Sequence, residues 1–218
     1  MSTLGIDFSI KSPAATLKTG DLYTFYTFAR NTAVKDPVVL SLQAAGVITN
    51  IYKNEPILPK KSTIAERERS SLEDAYMLIP GIVQWFSNLS ISSYAIEGFS
   101  FASTGNRLAQ ISGYQWVLRW EFLKMGVDFD NFWIFAPMTI KATAGKGNFK
   151  KEDMIAAFLN SEDEILKKTG LWKAMTSQPQ LFQNKKGAWE KPIDDIADSY
   201  FVLKTLEKTL KEKENKTI

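Results

Sequence analysis

The chain has 218 residues, 44% of them hydrophobic and 12% aromatic, with 27 Lys and Arg against 24 Asp and Glu for a net charge of +3. It contains no histidine and no cysteine, which excludes thiol nucleophiles, disulfides, histidine general bases and ordinary zinc sites. No apolar run reaches the roughly 18 residues of a membrane span, and the opening MSTLGIDFS lacks the basic region and apolar core of a secretory signal, so a cytoplasmic protein with no membrane partner is expected.

Residues 4–8 read as a short buried strand, 14–18 as a second, and 23–29 (YTFYTFA) as a third, rich in β-forming side chains. The stretch VVLSLQAAGVITNIY suits a strand or a helix, and KNEPILPKKS is a loop by its two prolines. Ser70 to Asp74 has the pattern of a capping box, opening a helix that continues to about Leu89 with a kink or break at Pro80-Gly81. SSYAIEGFSF is a further strand. Residues 104–125 read as a long helix, with Leu108, Ile111, Tyr114 or Gln115, Leu118 and Phe122 at helical spacing. Its Tyr114, Trp116 and Trp120 suit a core or a dimer interface.

Residues 131–140 (NFWIFAPMTI) read as a strand interrupted by Pro137. A glycine- and lysine-rich turn and a short helix at 150–159 follow. The polar stretch 161–192 is expected as an inserted loop or short helices, and a last helix at about 193–210 ends in a frayed charged tail, 211–218. The pattern predicts one α/β domain over 1–210, with inserts near 31–62 and 161–192. The segment 141–191 carries 10 Lys against 6 Asp and Glu, while the remainder is almost balanced. That asymmetry suits a polyanionic partner, although most charge runs are simply solvated faces.

Four acids stand out. Asp7 closes the apolar run Leu4-Gly5-Ile6, and Glu97 closes Tyr94-Ala95-Ile96. Asp195 and Asp198, three apart, share one face of the last helix. A carboxylate at the end of a buried strand is costly unless neutralised, and oxygen-preferring divalent cations are the usual answer. Magnesium or manganese held by such a set can assist in-line attack on a phosphodiester. Asp194 lies about 100° around the helix from Asp195, which makes it a spare first-turn acid favoured by the helix dipole. The turn GKGNFK lacks the GxxxxGK[ST] spacing of a nucleotide-binding loop, so no nucleotide cofactor is expected.

GIDFS, YAIEGF, IKATAGKGNFKKEDM and KPIDDIADSYFVL, in this order, resemble the RuvC-type Holliday-junction resolvases of the ribonuclease-H-like nuclease superfamily, including some phage-borne members. The glycine that family members usually carry two residues after the first aspartate is Ser9 here, and the lysine–glycine segment is one residue short. The resemblance implies a mixed β-sheet flanked by α-helices and a homodimer. It implies a Mg²⁺-dependent (or Mn²⁺-dependent) endonuclease cutting branched DNA, a four-way junction above all, in a bacterial or phage-infected cell. Asp7, Glu97, Asp195 and Asp198 would be both the catalytic residues and the ligands of two ions. Lys141, Lys146, Lys150 and Lys151 would contact DNA: Lys141 at a phosphate, Lys151 at a phosphate or as a stabiliser of transition-state charge. Phe99 or Phe101 would stack on bases, although either also suits the core. Weighed against this reading are a flap or broader branched-DNA nuclease of the same fold and a junction-binding protein without catalysis. An actin-like ATPase is a further rival, but FSIKSP lacks the glycine its first turn needs.

Overall fold

The computed structural model describes residues 2–30, 35–52, 62–99 and 106–216; Phe101 and most of the expected loop at 53–62 lie outside them. Strands β1 (Ser2–Asp7), β2 (Ala14–Thr19) and β3 (Leu22–Arg30) form an antiparallel meander. Strand β4 (Ile48–Tyr52) runs parallel to β3, while β5 (Ser93–Glu97) and β6 (Phe132–Phe135) extend the other side in parallel. The sheet order is therefore β4-β3-β2-β1-β5-β6, which puts β1 inside the sheet between β2 and β5. Crossovers carry α1 (Pro37–Ala44), α2 (Ile64–Ser87) and α3 (Asn106–Lys124). Helices α4 (Pro137–Ala144), α5 (Lys151–Leu159), α6 (Glu164–Lys168), α7 (Gly170–Ser177) and α8 (Ile193–Lys216) complete the chain. This is the mixed α/β architecture expected.

Four local expectations are corrected. The ambiguous stretch is both elements: Asp36 caps α1, Pro37 occupies its first turn, and Gly46 at φ +85° turns the chain into β4. Helix α2 begins at the Thr63–Glu66 capping box rather than at Ser70. It runs through Pro80, which lies on the exposed side, where water can take the freed Tyr76 carbonyl. The expected strand 131–140 stops at Phe135, because Pro137 starts α4 at a position that needs no amide donor. The charged stretch expected to fray continues α8 to Lys216.

Side-chain alternation divides the sheet into two apolar layers. Leu4, Ile6, Ala15, Leu17, Tyr26, Phe28, Tyr94 and Ile96 face α2 and α3. Tyr23, Phe25, Ala14 and Ala95 face the layer built around α8. Helix α8 is buried on most of its circumference from Ile193 to Leu206, because the sheet lies beneath it and α4 and α5 cover it. The sheet floor under α8 is made of small residues, Gly5, Ala14, Thr16 and Ala95, and Thr16 Oγ1 hydrogen-bonds Ser199 Oγ at 2.8 Å.

Gly5 sets the approach distance. A Cβ there would lie 2.5 Å from the Leu203 backbone nitrogen and 2.6 Å from the Ser199 carbonyl oxygen. Both obstacles are backbone, so no rotamer change relieves them. Gly5→Ala is expected to destabilise the fold by about 3 kcal/mol or more, at the upper end of overpacking costs. Thermal unfolding checks this, and an unchanged midpoint would show that α8 can lift off the sheet freely.

Candidate active site

Strand pairing places the first two acids side by side. Ile6 is in register with Ile96 on the parallel strand β5, so Asp7 and Glu97 leave adjacent strands at the same level. They share the parity of Gly5 and Ala95, and so face α8. The first turns of α8 deliver Asp194 and Asp195, both buried, and Asp198, half-buried. Asp7 feels Glu97, Asp195 and Asp198, and Glu97 feels Asp195. The structure therefore brings all four sequence candidates within electrostatic reach of one another at the C-terminal ends of β1 and β5.

So many carboxylates cannot all ionise together in a buried site. Burial, then the charges of Glu97, Asp195 and Asp198, hold the Asp7 carboxyl well above the usual range, and it shares a hydrogen bond with Glu97. Glu97 is also raised, chiefly by burial, although that hydrogen bond and the Lys141 and Lys151 charges work the other way. Asp198 is pushed up to about 7 by burial and by Glu97, Asp195 and Asp194.

Three residues outside the expected set complete the site. Ser12, in the turn between β1 and β2, donates to Asp195 Oδ2 at 2.5 Å. Lys191 donates to Asp195 Oδ1 at 2.5 Å and lies 3.2 Å from Asp194 Oδ2. Asp194 is no exposed spare acid: it is buried and ion-paired with Lys151 as well. Burial would raise Asp194, but the hydrogen bond from Lys151 and the Lys191 charge hold it below the usual range. Lys191 is driven up to about 12, burial being outweighed by Asp195 and Asp194. The sequence signal for Lys191 was proximity: it stands three and four residues before the two acids it pairs with, although it precedes α8 and shares no helix face with them. Ser12 had none, because its contact spans 183 positions.

Among the described residues, no three acidic side chains are arranged as a ready cation cage. Asp195 is turned toward Ser12 and Lys191, and Asp7 toward Glu97. The donor set nevertheless suits a hard divalent ion, being carboxylate oxygens in a place with surplus negative charge. Asp194 Oδ1 and Asp198 Oδ1 are buried with no hydrogen-bond partner, an arrangement that is costly unless something supplies positive charge.

The DNA-contact candidates are placed as follows. Lys141 lies in the last turn of α4 and Lys151 in the first turn of α5, both close enough to lower Glu97. Gly145, at φ +155°, ends α4 and begins the turn carrying the exposed Lys146 and Lys150. Phe99 is half-buried, with the Arg119 guanidinium 4.7 Å from its ring centroid and Trp116 on the same guanidinium at 5.1 Å. Tyr114 joins the core, while Trp116 and Trp120 are each 62% exposed.

A central antiparallel meander flanked by parallel strands and backed by helices on both faces defines the ribonuclease-H-like α/β fold. Among solved structures, Thermus thermophilus RuvC matches over 96% of this chain and 96% of its own, at 12% identity and a TM-score of 0.51. T. thermophilus RuvC in complex with Holliday junction substrate matches over the same shares, at 11% identity and a TM-score of 0.51. At such identities the likeness establishes the fold. No protein-family model and no curated protein matches the chain. No helix among the described residues is long and apolar enough to cross a membrane.

Proposed function

We propose that this protein is a Mg²⁺-dependent, structure-selective DNA endonuclease that resolves four-way junctions, its residues 1–210 forming one nuclease domain. The observation that carries the reading is the meeting of Asp7 and Glu97 from adjacent strands with Asp195 and Asp198 from α8, flanked by Lys141 and Lys151. The fold is shared with a protein whose structure holds a Holliday junction substrate, which supports the substrate class.

In this reading Asp7, Glu97, Asp195 and Asp198 hold one or two magnesium ions, and manganese can substitute. The ions supply Lewis acidity toward the scissile phosphate and neutralise its charge. Lys141, beside Glu97, receives the phosphate, and Lys151 offsets negative charge at the same edge. Phe99, its ring backed by Arg119, offers a face on which a base exposed at the branch point can stack. In this reading the protein works in the cytoplasm of a bacterial or phage-infected cell.

The functional unit is a homodimer, since symmetric cutting of a four-way junction needs two sites related by a two-fold axis. Trp116 and Trp120 lie on one exposed stripe of α3 with Val117 between them, and they are the proposed seam. Sedimentation of Trp120→Glu should show a monomer where the wild type sediments as a dimer; equal masses remove α3 from the interface.

Labelled four-way junction, flap and linear duplex, each incubated with Mg²⁺ or EDTA, test the function directly. Paired symmetric nicks in the junction alone support resolution. Cutting of flaps at equal rates favours a broader branched-DNA nuclease, and binding without cutting favours an architectural protein. Lys146 and Lys150 give a separate test. Replacing both with Ala is expected to flatten the slope of log affinity against log salt by about two, since each phosphate contact contributes about 0.9. An unchanged slope would leave them as solvated surface residues.

A further inference from the structure

We propose that Lys191 competes with divalent cations for the Asp195 carboxylate, so that ion binding displaces its ammonium and the lysine sets the ion concentration at which the site loads. This rests on the reading of Asp7, Glu97, Asp195 and Asp198 as the ion-holding set.

The geometry is specific. Both Asp195 oxygens are engaged, Oδ2 by Ser12 and Oδ1 by Lys191, each at 2.5 Å. Each oxygen keeps a second lone pair, so the conflict is one of charge: an ion at Oδ1 would sit against the Lys191 ammonium that already neutralises that carboxylate. Ser12 has a short side chain in a turn held between β1 and β2, and it is neutral. Lys191 carries the charge a cation would repel, on a long stem that is 46% exposed, whereas the Asp195 side chain is only 5% exposed. The lysine can withdraw into water and the aspartate cannot.

Local helix physics does not account for this lysine. It sits just before the first turn of α8, where the helix dipole favours anions and disfavours a cation. Its position follows from Asp194 and Asp195, which it bridges. Lys151 differs in kind, because it pairs with Asp194 and leaves Asp195 alone. Displacement of Lys191 would thus free Asp195 for an ion while Asp194 keeps a counter-charge.

The test is Mn²⁺ binding by calorimetry, without DNA, for wild type, K191Q, K191M and K191R, with D198N as a ligand-loss control. Removing one like charge from contact with the ion's ligand is expected to tighten Mn²⁺ binding roughly tenfold in K191Q and K191M. K191R should stay near wild type, and D198N should bind more weakly. In EDTA, K191Q should unfold at a lower temperature than wild type, and its midpoint should rise further on adding Mn²⁺. A lysine that only braces the site would give the reverse, weaker binding in K191Q and K191M. Wild-type binding with unchanged or weaker affinity in both neutral variants overturns the proposal alone. Absence of Mn²⁺ binding in wild type and neutral variants alike overturns the ion-site reading, and the proposal with it.

Discussion

Under the proposed function, Asp7→Asn and Glu97→Gln are each expected to abolish junction cleavage while leaving junction binding intact. Both amides preserve side-chain shape, so the adjacent strand ends need not move. What would be lost is the negative charge proposed to hold the ions and, through them, the electrostatic stabilisation of the reacting phosphate. Removing such stabilisation costs at least about 10²–10³ in rate for a single hydrogen-bond donor, and loss of an ion ligand is expected to exceed that. Asp195→Asn and Asp198→Asn should behave alike. Asp194→Asn should be milder: it breaks the pairs with Lys151 and Lys191 without removing a proposed ligand. Single-turnover cleavage with saturating enzyme separates chemistry from binding. Full activity in both the Asp7 and Glu97 variants would remove the strand-end acids from the mechanism.

The second large effect concerns stability. Asp198 has an ordinary carboxyl pKa near 3.8 when unfolded, and in the folded protein burial and its acidic neighbours push it up to about 7. Between about pH 4 and pH 7 the folded state therefore keeps a proton that the unfolded chain has released. Stability must fall as pH rises through that window and level off above it. Asp7, Glu97 and Asp195, all raised, act in the same direction, and Asp194, lowered, opposes them by losing its contribution only as pH falls. In EDTA, the wild type should melt at a lower temperature at pH 8 than at pH 5. Asp198→Asn removes a charge penalty on the order of a few kcal/mol, so at pH 8 it should melt roughly 5–10 °C higher than the wild type, taking about 2–4 °C per kcal/mol for a chain of this size. At pH 5 the gap should shrink to roughly a third of that, and only below about pH 4, where the unfolded chain also holds the proton, should the two coincide. A wild type that grows more stable from pH 5 to pH 8 would mean that the acids do not share one low-dielectric site.

These two experiments pull in opposite directions at one residue. Asp198→Asn should gain stability and lose cleavage, the pattern expected where a strained charge arrangement serves function. Gly5→Ala is the contrasting case, losing both, because it lifts α8 and its acids from the strand ends.

Much of this was legible in the sequence, for identifiable reasons. The three-strand opening was readable because YTFYTFA and its neighbours are rich in β-forming side chains and separated by turn residues. The adjacency of Asp7 and Glu97 was inferable because each closes a short apolar run, and neighbouring parallel strands bring such ends together. The pairing of Asp195 with Asp198 followed from helical periodicity alone. The boundaries that failed were those governed by local competition. Pro137 can end a strand or start a helix, and only its neighbours in space decide which. Thr63 and Ser70 both head plausible capping boxes, and the reciprocal hydrogen bonds between Thr63 and Glu66 hold the earlier one.

Residue order and periodicity thus determined the α/β class, the four acids and the lysine-rich segment beside them, because each depends on patterns a few residues long. Tertiary structure decided the charge state of those acids and the partners that hold them. Ser12 meets Asp195 across 183 positions, and Asp194 is buried because α5 brings Lys151 over it. Burial and Coulomb interaction depend on distances in space, which no local pattern encodes.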